Sequence, residues 1–270
     1  MRPNVSLKKE DYLRFLGDFS EVRKFYDSCF YVYGSLISGT PAYGRSDIDG
    51  GVILNDKVVT HKGRLLDISK LFVECWERSP VRVQFNLLDR QTASDGRFLS
   101  YDLSFTDWIK KSGRVLAGDE DLVEGMTGFK FKDETLRGIA YNFRSLRNGY
   151  LTVVRDFKYD PRKLAENTEN ALENLIRLPK KILLIRGGSV VDNKASAITK
   201  LQRMFPELDL EFVRRVQRLS RNPHKWYKAI ENDKLSSGFP IYTKALTAFE
   251  RVIESYLNAF PEISDKEVRF

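Results

Sequence analysis

Two aspartates one residue apart, Asp47 and Asp49, are the side chains in this sequence best suited to bind a metal ion. They head an apolar run typical of a β-strand, and residues i and i+2 of a strand point to the same face. Their carboxylates can therefore converge on one hard cation while Ile48 turns into the core. Mg²⁺ prefers such oxygen ligands and usually takes one or two protein carboxylates, with water and substrate phosphates completing its shell.

A glycine and a serine, Gly34 and Ser35, end the aromatic and β-branched run that comes before these aspartates, and a glycine-rich loop follows them. Glycine lets backbone N–H groups approach a phosphate closely, and the serine adds a hydroxyl group. Ser46 comes directly before the first aspartate and is placed to support the same site. The stretch therefore predicts a site for a phosphate together with a divalent metal.

The composition narrows the class of protein. The chain has 270 residues, of which 42% are hydrophobic and 30% charged, which is enough for a sizeable core and one or two domains. No apolar run approaches the roughly 18 residues that span a bilayer, and the first residues carry no apolar signal region. We therefore expect a cytoplasmic protein with no membrane partner. The net charge of +8 favours polyanionic partners such as nucleotides or RNA.

The few cysteines and histidines of this sequence do not indicate a catalytic or metal-binding site built on these residues. Cys29 and Cys75 each have an aromatic neighbour, and we expect both to be buried thiols rather than a disulfide, since the cytosol is reducing. His61 and His224, the two histidines, lack the spacing of a metal site or of a Ser-His-Asp triad.

Hydrophobic periodicity divides the chain into two parts. In the first, an order of helix, strand, loop, strand, helix and strand is expected, with strands over 30–33, 47–54 and 81–87 and helices over 7–26 and 65–76. A helix is also predicted over 107–116, within a loop-rich stretch that reaches 128. In the second part amphipathic helices are expected over 133–149, 161–186 with a break at Pro179, 192–205, 210–219 and 242–260. We therefore predict an α+β fold, with a small mixed β-sheet domain over residues 1–128 and an all-α helical bundle domain over residues 129–270.

The joint pattern of Gly34-Ser35, Gly39 and Ser46-Asp47-Ile48-Asp49 resembles the Gly-Ser…Asp-x-Asp signature of the DNA polymerase β-like nucleotidyltransferases. The helical second half makes the chain most similar to the two-domain streptomycin/spectinomycin (aminoglycoside) adenylyltransferases. That similarity covers most of the chain, through the segments 103–109, 181–188, 193–195 and 205–206.

The resemblance implies a nucleotidyltransferase in which Asp47 and Asp49 are the catalytic residues. They would hold one or two Mg²⁺ ions against the triphosphate of ATP or another nucleoside triphosphate. Gly34, Ser35 and Ser46 would bind the nucleotide.

The resemblance also implies that Lys194 reaches the nucleotide phosphates from the helical domain. The acceptor would be a hydroxyl group, and the basic composition favours an RNA or an anionic small molecule over a cationic aminoglycoside. The sequence leaves the oligomeric state open.

One part of the family pattern is missing. A third carboxylate normally lies on the polar face of the third strand, where this sequence has Arg82, Gln84 and Asn86. Amides can hold a hydroxyl group or a water but cannot act as a base. Asp89, if a bulge shifts the strand, and Asp102 are candidates for the missing acid. The alternatives are activation by metal alone, a catalytically impaired nucleotide- or RNA-binding protein of the same fold, and a nucleotidyltransferase of a toxin–antitoxin pair.

Overall fold

The computed structural model describes residues 6–25, 28–56, 61–95, 104–126, 131–187 and 193–259. The chain divides into two compact units, Met1–Phe129 and Lys130–Phe270, each with its own hydrophobic core. No helix in the described ranges is both long enough and apolar enough to cross a lipid bilayer.

The first unit is a mixed β-sheet with helices on both faces. Its elements in chain order are α1 (Lys9–Phe19), a 3₁₀ turn (Ser20–Lys24), β1 (Ser28–Tyr33), β2 (Ile48–Leu54), α2 (Lys62–Arg78), β3 (Val83–Asp89), α3 (Arg90–Asp95), α4 (Ser104–Ser112), β4 (Arg114–Gly118) and α5 (Asp121–Glu124). The strand order is β3-β2-β1-β4. Strand β1 is antiparallel to β2 and β4, while β2 and β3 are parallel. One end of the sheet therefore collects the end of β1 and the starts of the other three strands.

Alternation along the strands divides the core of this unit between the two faces of the sheet. On one face, α1 presents apolar residues at helical spacing, and Phe19 packs edge-on against Phe30 of β1, with ring centroids 5.0 Å apart. On the other face, the buried side chains of Tyr31 and Ile53 belong to a second cluster with Ile109 of α4. The site residues described below lie at one end of this second face.

The second unit is a bundle built around one long helix. Its elements are α6 (Phe131–Tyr159), α7 (Pro161–Gly187), α8 (Lys194–Met204), α9 (Glu211–Ser220), α10 (Pro223–Lys234) and α11 (Pro240–Ala259). Helix α7 contacts all five of the others and buries Leu172, Leu175 and Ile176 completely. The predicted α+β class, a small mixed sheet followed by a helical region, is confirmed.

Two sequence predictions about elements were wrong. The predicted helix over 107–116 ends at Ser112, and residues 114–118 form β4, which pairs with β1. Gly113 marks the change, because a side chain there would collide with the carbonyl oxygen of Ile109.

Pro179 does not break α7, which continues to Gly187. A proline inside a helix costs about 3 kcal/mol, but buried residues on both sides of it, Ile176 and Ile182 among them, keep the helix in the core.

Both cysteines are free, buried thiols, as predicted. Burial raises the pKa of the Cys29 thiol to about 12 and that of Cys75 to about 11. Because the thiolate is the reactive form, neither residue supplies a nucleophile near neutral pH.

Candidate active site

The two aspartates lie where β2 begins. Asp49 is the second residue of β2 and pairs with Tyr33, the last residue of β1, while Asp47 comes immediately before the strand. Both aspartates are half-buried. Ile48 between them is fully buried in the cluster with α1 and α2 on the opposite face. The alternation places both carboxylates on one face, at an end of the sheet that is accessible to solvent.

A glycine at the end of β1 makes room for the second carboxylate. Gly34 is buried and has a φ of +84°, a region that side chains strongly disfavour. A Cβ atom at this position would overlap Oδ2 of Asp49 and lie 3.2 Å from its Cβ and Cγ atoms. Glycine at position 34 is therefore required both by the backbone turn and by the place of the Asp49 side chain.

The loop between β1 and β2 is held by hydrogen bonds at both of its ends. At the first end, the carbonyl oxygen of Ser35 accepts from the N–H of Thr40 at 2.9 Å. At the second end, Ser46 Oγ accepts from the N–H of Ala42 at 2.9 Å. Ser35 therefore lies at the first end of the loop, next to Gly34. Ser46 lies at the second end, next to Asp47.

Helix α1 fixes the second end of this loop from the other face of the sheet. The hydroxyl group of Tyr12 donates to the carbonyl oxygen of Ser46 at 2.7 Å and accepts from the N–H of Gly44 at 3.1 Å. Tyr12 is almost fully buried. The segment that carries Asp47 is therefore tied to the core rather than supported by the strand alone.

Strand β3 brings an amide, not an acid, beside the aspartates. Gln84 is in register with Asp49 and Asn86 is in register with Gly51, and the ladder from Val83 to Asp89 has no irregularity. In the described part of the chain, no third acid, histidine or cysteine forms a group with the two carboxylates that could hold a metal ion.

Asp89, one candidate for the missing acid, lies at the far end of β3, paired with Leu54. It lies five positions after Gln84, a distance of about 16 Å along a strand. Its carboxylate accepts from the N–H of Thr92 at 2.9 Å and from the Thr92 hydroxyl at 2.8 Å, which caps α3. The bulge that would bring Asp89 to the site is absent from the β2–β3 pairing, so this candidate was wrong. The other candidate, Asp102, lies outside the described residues.

Lys194 is the first residue of α8 in the second unit, directly after the helix cap Asn193. Its ammonium group is 3.2 Å from Oε2 of Glu173 on α7, and about a third of its side chain is exposed. The same carboxylate oxygen is 3.4 Å from Nε of Arg177. Lys194 is therefore a positioned cation near a helix N-terminus, with a carboxylate to hold it.

Sequence reasoning assigned no role to two features near the aspartates. Trp108 of α4 packs edge-on against Tyr33, with ring centroids 5.5 Å apart, so an aromatic pair lies beside the strand pairing of Asp49. Arg114, exposed at the start of β4, lies at the same end of the sheet but on the opposite face, because it pairs with Val32, which is buried in the cluster with α1 and α2. In the sequence, this strand was indicated only by the short run 114–117, which lies between Gly113 and Gly118 and is mostly apolar.

Comparison with known proteins bears on the fold. No protein-family model matches this sequence, and a search of curated proteins finds no significant match. The structure is similar to the crystal structure of spectinomycin adenyltransferase AAD(9) from Enterococcus faecialis with ATP and spectinomycin. The TM-score is 0.53 and the sequence identity 12%, over 89% of this chain and 99% of the other. The chain therefore has the aminoglycoside adenylyltransferase-like nucleotidyltransferase fold, and the resemblance of its sequence to that group is confirmed at the level of the fold.

Proposed function

From a nucleotidyltransferase fold that carries Asp47 and Asp49 at the start of β2, we propose that this protein is a Mg²⁺-dependent nucleotidyltransferase that moves AMP from ATP to a hydroxyl acceptor. The observation that carries the proposal is the pair of half-buried carboxylates on one face, with Gly34 leaving space for one of them. The fold supports nucleotidyl transfer as the reaction class, and a structural neighbour with 12% identity contains ATP.

The residues present fit a magnesium ion. Two carboxylates one residue apart supply the hard oxygen ligands that Mg²⁺ prefers, and substrate phosphates and water can complete its octahedral shell. Asp47 and Asp49 would hold the ion. When bound, Mg²⁺ supplies Lewis-acid stabilisation of the charge on the transferred phosphoryl group.

The remaining groups of the site orient the nucleotide. The backbone at Gly34 and the Ser35 hydroxyl would bind the triphosphate at the end of β1, and Ser46 would hold the loop in the shape that presents Asp47. Lys194, a cation at the start of α8, is kept as a nucleotide-binding residue on the resemblance of the sequence alone. With the nucleotide in place, the acceptor oxygen would attack the α-phosphorus in line. The bond from the α-phosphorus to the bridging oxygen would break, pyrophosphate would leave, and the hydroxyl proton would pass to solvent.

ATP labelled at the α- or the γ-phosphate tests this proposal. With Mg²⁺ and a pool of RNA and small metabolites, the α-label is expected to appear on an acceptor and the γ-label in pyrophosphate. Transfer of the γ-label to an acceptor would identify a kinase instead and contradict the proposal.

A nucleotide-binding protein of the same fold without turnover is the second candidate. Gln84 favours it, because this residue is in register with Asp49 and its amide cannot take a proton from the acceptor. Tight binding of Mg²⁺–ATP with no transfer of either label would favour this candidate over the enzyme.

A further inference from the structure

One stretch of the second unit carries most of the positive charge of the chain. Residues 212–230 contain four arginines and two lysines but no aspartate or glutamate. The whole chain has a net charge of +8, so these six side chains account for the larger part of it. The basic character of the protein is therefore concentrated in a short segment.

This segment forms α9 and the first turns of α10, and its cations share one surface of α9. Val213 and Val216 of α9 are buried in the core of the second unit, and helical spacing places the arginines on the other side of the helix. We call these four residues the α9 arginine row: Arg214, which is half-buried, and Arg215, Arg218 and Arg221, which are exposed.

Carboxylates neutralise little of the charge in the α9 arginine row. Glu211 lies 3.0 Å from Nη2 of Arg218. Within the ranges that the structure describes, the other three arginines of the row take part in no salt bridge. Most of the row is therefore available to an anionic partner.

A buried amide orients the last arginine of the row. In the orientation that satisfies both groups, the side-chain oxygen of Gln217 accepts from Nε and Nη2 of Arg221 at 3.0 and 3.2 Å. Gln217 is buried in the helix itself. An amide has no charge, so it holds the guanidinium group in place without cancelling its charge.

The start of α10 adds positive potential next to Arg221. A helix N-terminus carries a partial positive charge, which acidic side chains usually complement. The first turn of α10 has no acidic residue and contains the exposed His224 and Lys225 instead. A cation at this position slightly disfavours the helix, and a bound anion would compensate for it.

The composition of this surface favours phosphates over a membrane or a protein partner. No large apolar side chain is exposed between residues 205 and 234, all of which the structure describes. A helix that binds a membrane surface and the centre of a protein interface both need such side chains. Arginine binds phosphate through two parallel hydrogen bonds, which suits a row of guanidinium groups.

The surface also favours a double helix over a single strand. The aromatic residues of the segment, Phe212, Trp226 and Tyr227, pack in or against the core and offer no ring on which unpaired bases could stack. Arg214 and Arg221 are seven residues apart, about 10 Å along the helix. Each strand of a duplex presents one phosphate per roughly 3.4 Å of its axis, so the row spans about three phosphates.

We propose that α9 and the start of α10 bind the sugar-phosphate backbone of a double-helical nucleic acid through the α9 arginine row and Lys225. The inference goes beyond nucleotidyl transfer, because it concerns a surface of the second unit and holds whether or not the aspartates of the first unit support transfer. The same backbone chemistry occurs in duplex RNA and duplex DNA, which the test distinguishes.

The test is binding of fluorescein-labelled RNA and DNA duplexes of one sequence to the full chain, measured by fluorescence anisotropy at several salt concentrations. The wild type is expected to bind at least one duplex, and the tighter of the two identifies the source of the backbone. Arg214→Gln/Arg221→Gln is expected to weaken this binding at least about tenfold and to reduce the salt slope by about 1.8, or 0.9 for each lost contact.

The matched control is Arg14→Gln/Arg23→Gln, which removes the same charge from two exposed arginines of the first unit. It should stay within about twofold of the wild type. Equal losses in the two double variants, or no binding of either duplex by the wild type, would overturn the inference. Displacement of the duplex by its single strand or by anionic lipid vesicles, as effective as by unlabelled duplex, would also overturn it.

The single variant Arg215→Gln covers a failure of the double variant to fold, with circular dichroism as the check on all proteins. Arg215 is exposed and, in the described part of the chain, outside any salt bridge, so its loss should leave the fold intact. Its salt slope should fall by about 0.9, and an unchanged slope would contradict a contact between the α9 arginine row and the phosphates.

Discussion

Asp47→Asn and Asp49→Asn are each expected to lower nucleotide transfer by about a thousandfold, which corresponds to about 4 kcal/mol of transition-state stabilisation. Asparagine keeps the shape of the side chain but removes the charge that holds the cation. Both positions are half-buried at the start of β2, so the substitution leaves no cavity in the sheet. The measurement is the rate of pyrophosphate release in the presence of acceptor.

Asp67→Asn is the matched control for these variants. Asp67 lies on α2, about half exposed, with a long contact of 3.9 Å to Lys70. Its loss should leave the rate within about twofold, as expected for a surface ion pair. Rates for the Asp47 and Asp49 variants close to that of the control would contradict their assignment as metal ligands.

Gly34→Ala is expected to lower activity by about a hundredfold through displacement of Asp49, since a shift of about 1 Å can cost that much. The added methyl group would overlap Oδ2 of Asp49, and the φ of +84° adds a backbone strain of roughly 1–2 kcal/mol. The carboxylate must therefore move away from its present position. The rate of transfer and the denaturant midpoint are both measured, because the loss of activity comes from the displaced Asp49 carboxylate and the loss of stability from the backbone strain.

Gly39→Ala is the control that separates the loss of activity from the loss of stability. Gly39 also has a positive φ, +73°, but a Cβ atom there would meet nothing within 4 Å. Its variant should show a similar loss of stability with little loss of activity. An equal loss of activity in both variants would show that loop strain, not the position of Asp49, controls the rate.

The sequence allowed the aspartate end of the sheet to be anticipated because its signals are local. The i, i+2 spacing of Asp47 and Asp49 needs only a strand to place both on one face, and Ile48 indicated which face is buried. The long helices of the second unit were likewise indicated by their periodicity. The side chain of Asp160 caps α7 by accepting from the N–H of Lys163 at 3.0 Å.

What the sequence did not predict depends on pairing between distant segments. Strand β4 is five residues long and has little alternation of its own, and its register comes from β1. The helix α10 was also missed, although Asn222 followed by Pro223 is a standard helix start, and the Asn222 side chain does accept from the N–H of Lys225 at 3.0 Å.

The alternation of side chains along β3 excludes Asp89 as the missing acid. A strand without a bulge places residues 84 and 89 on opposite faces, and the unbroken pairing with β2 shows that β3 is such a strand. Asp89 is therefore a helix cap at the far end, and Gln84 is the β3 residue in register with Asp49. The described part of the candidate site therefore has two carboxylates and, in register with the second of them, an amide.

Calorimetric titration of ATP into the protein, with and without Mg²⁺, tests the central claim most directly. The wild type is expected to bind ATP in a Mg²⁺-dependent manner, and the double variant Asp47→Asn/Asp49→Asn is expected to lose that dependence while Asp67→Asn keeps it. Binding of ATP that is equally strong in the wild type and the double variant, or that is unaffected by Mg²⁺ in the wild type, would contradict a metal–triphosphate site at the start of β2.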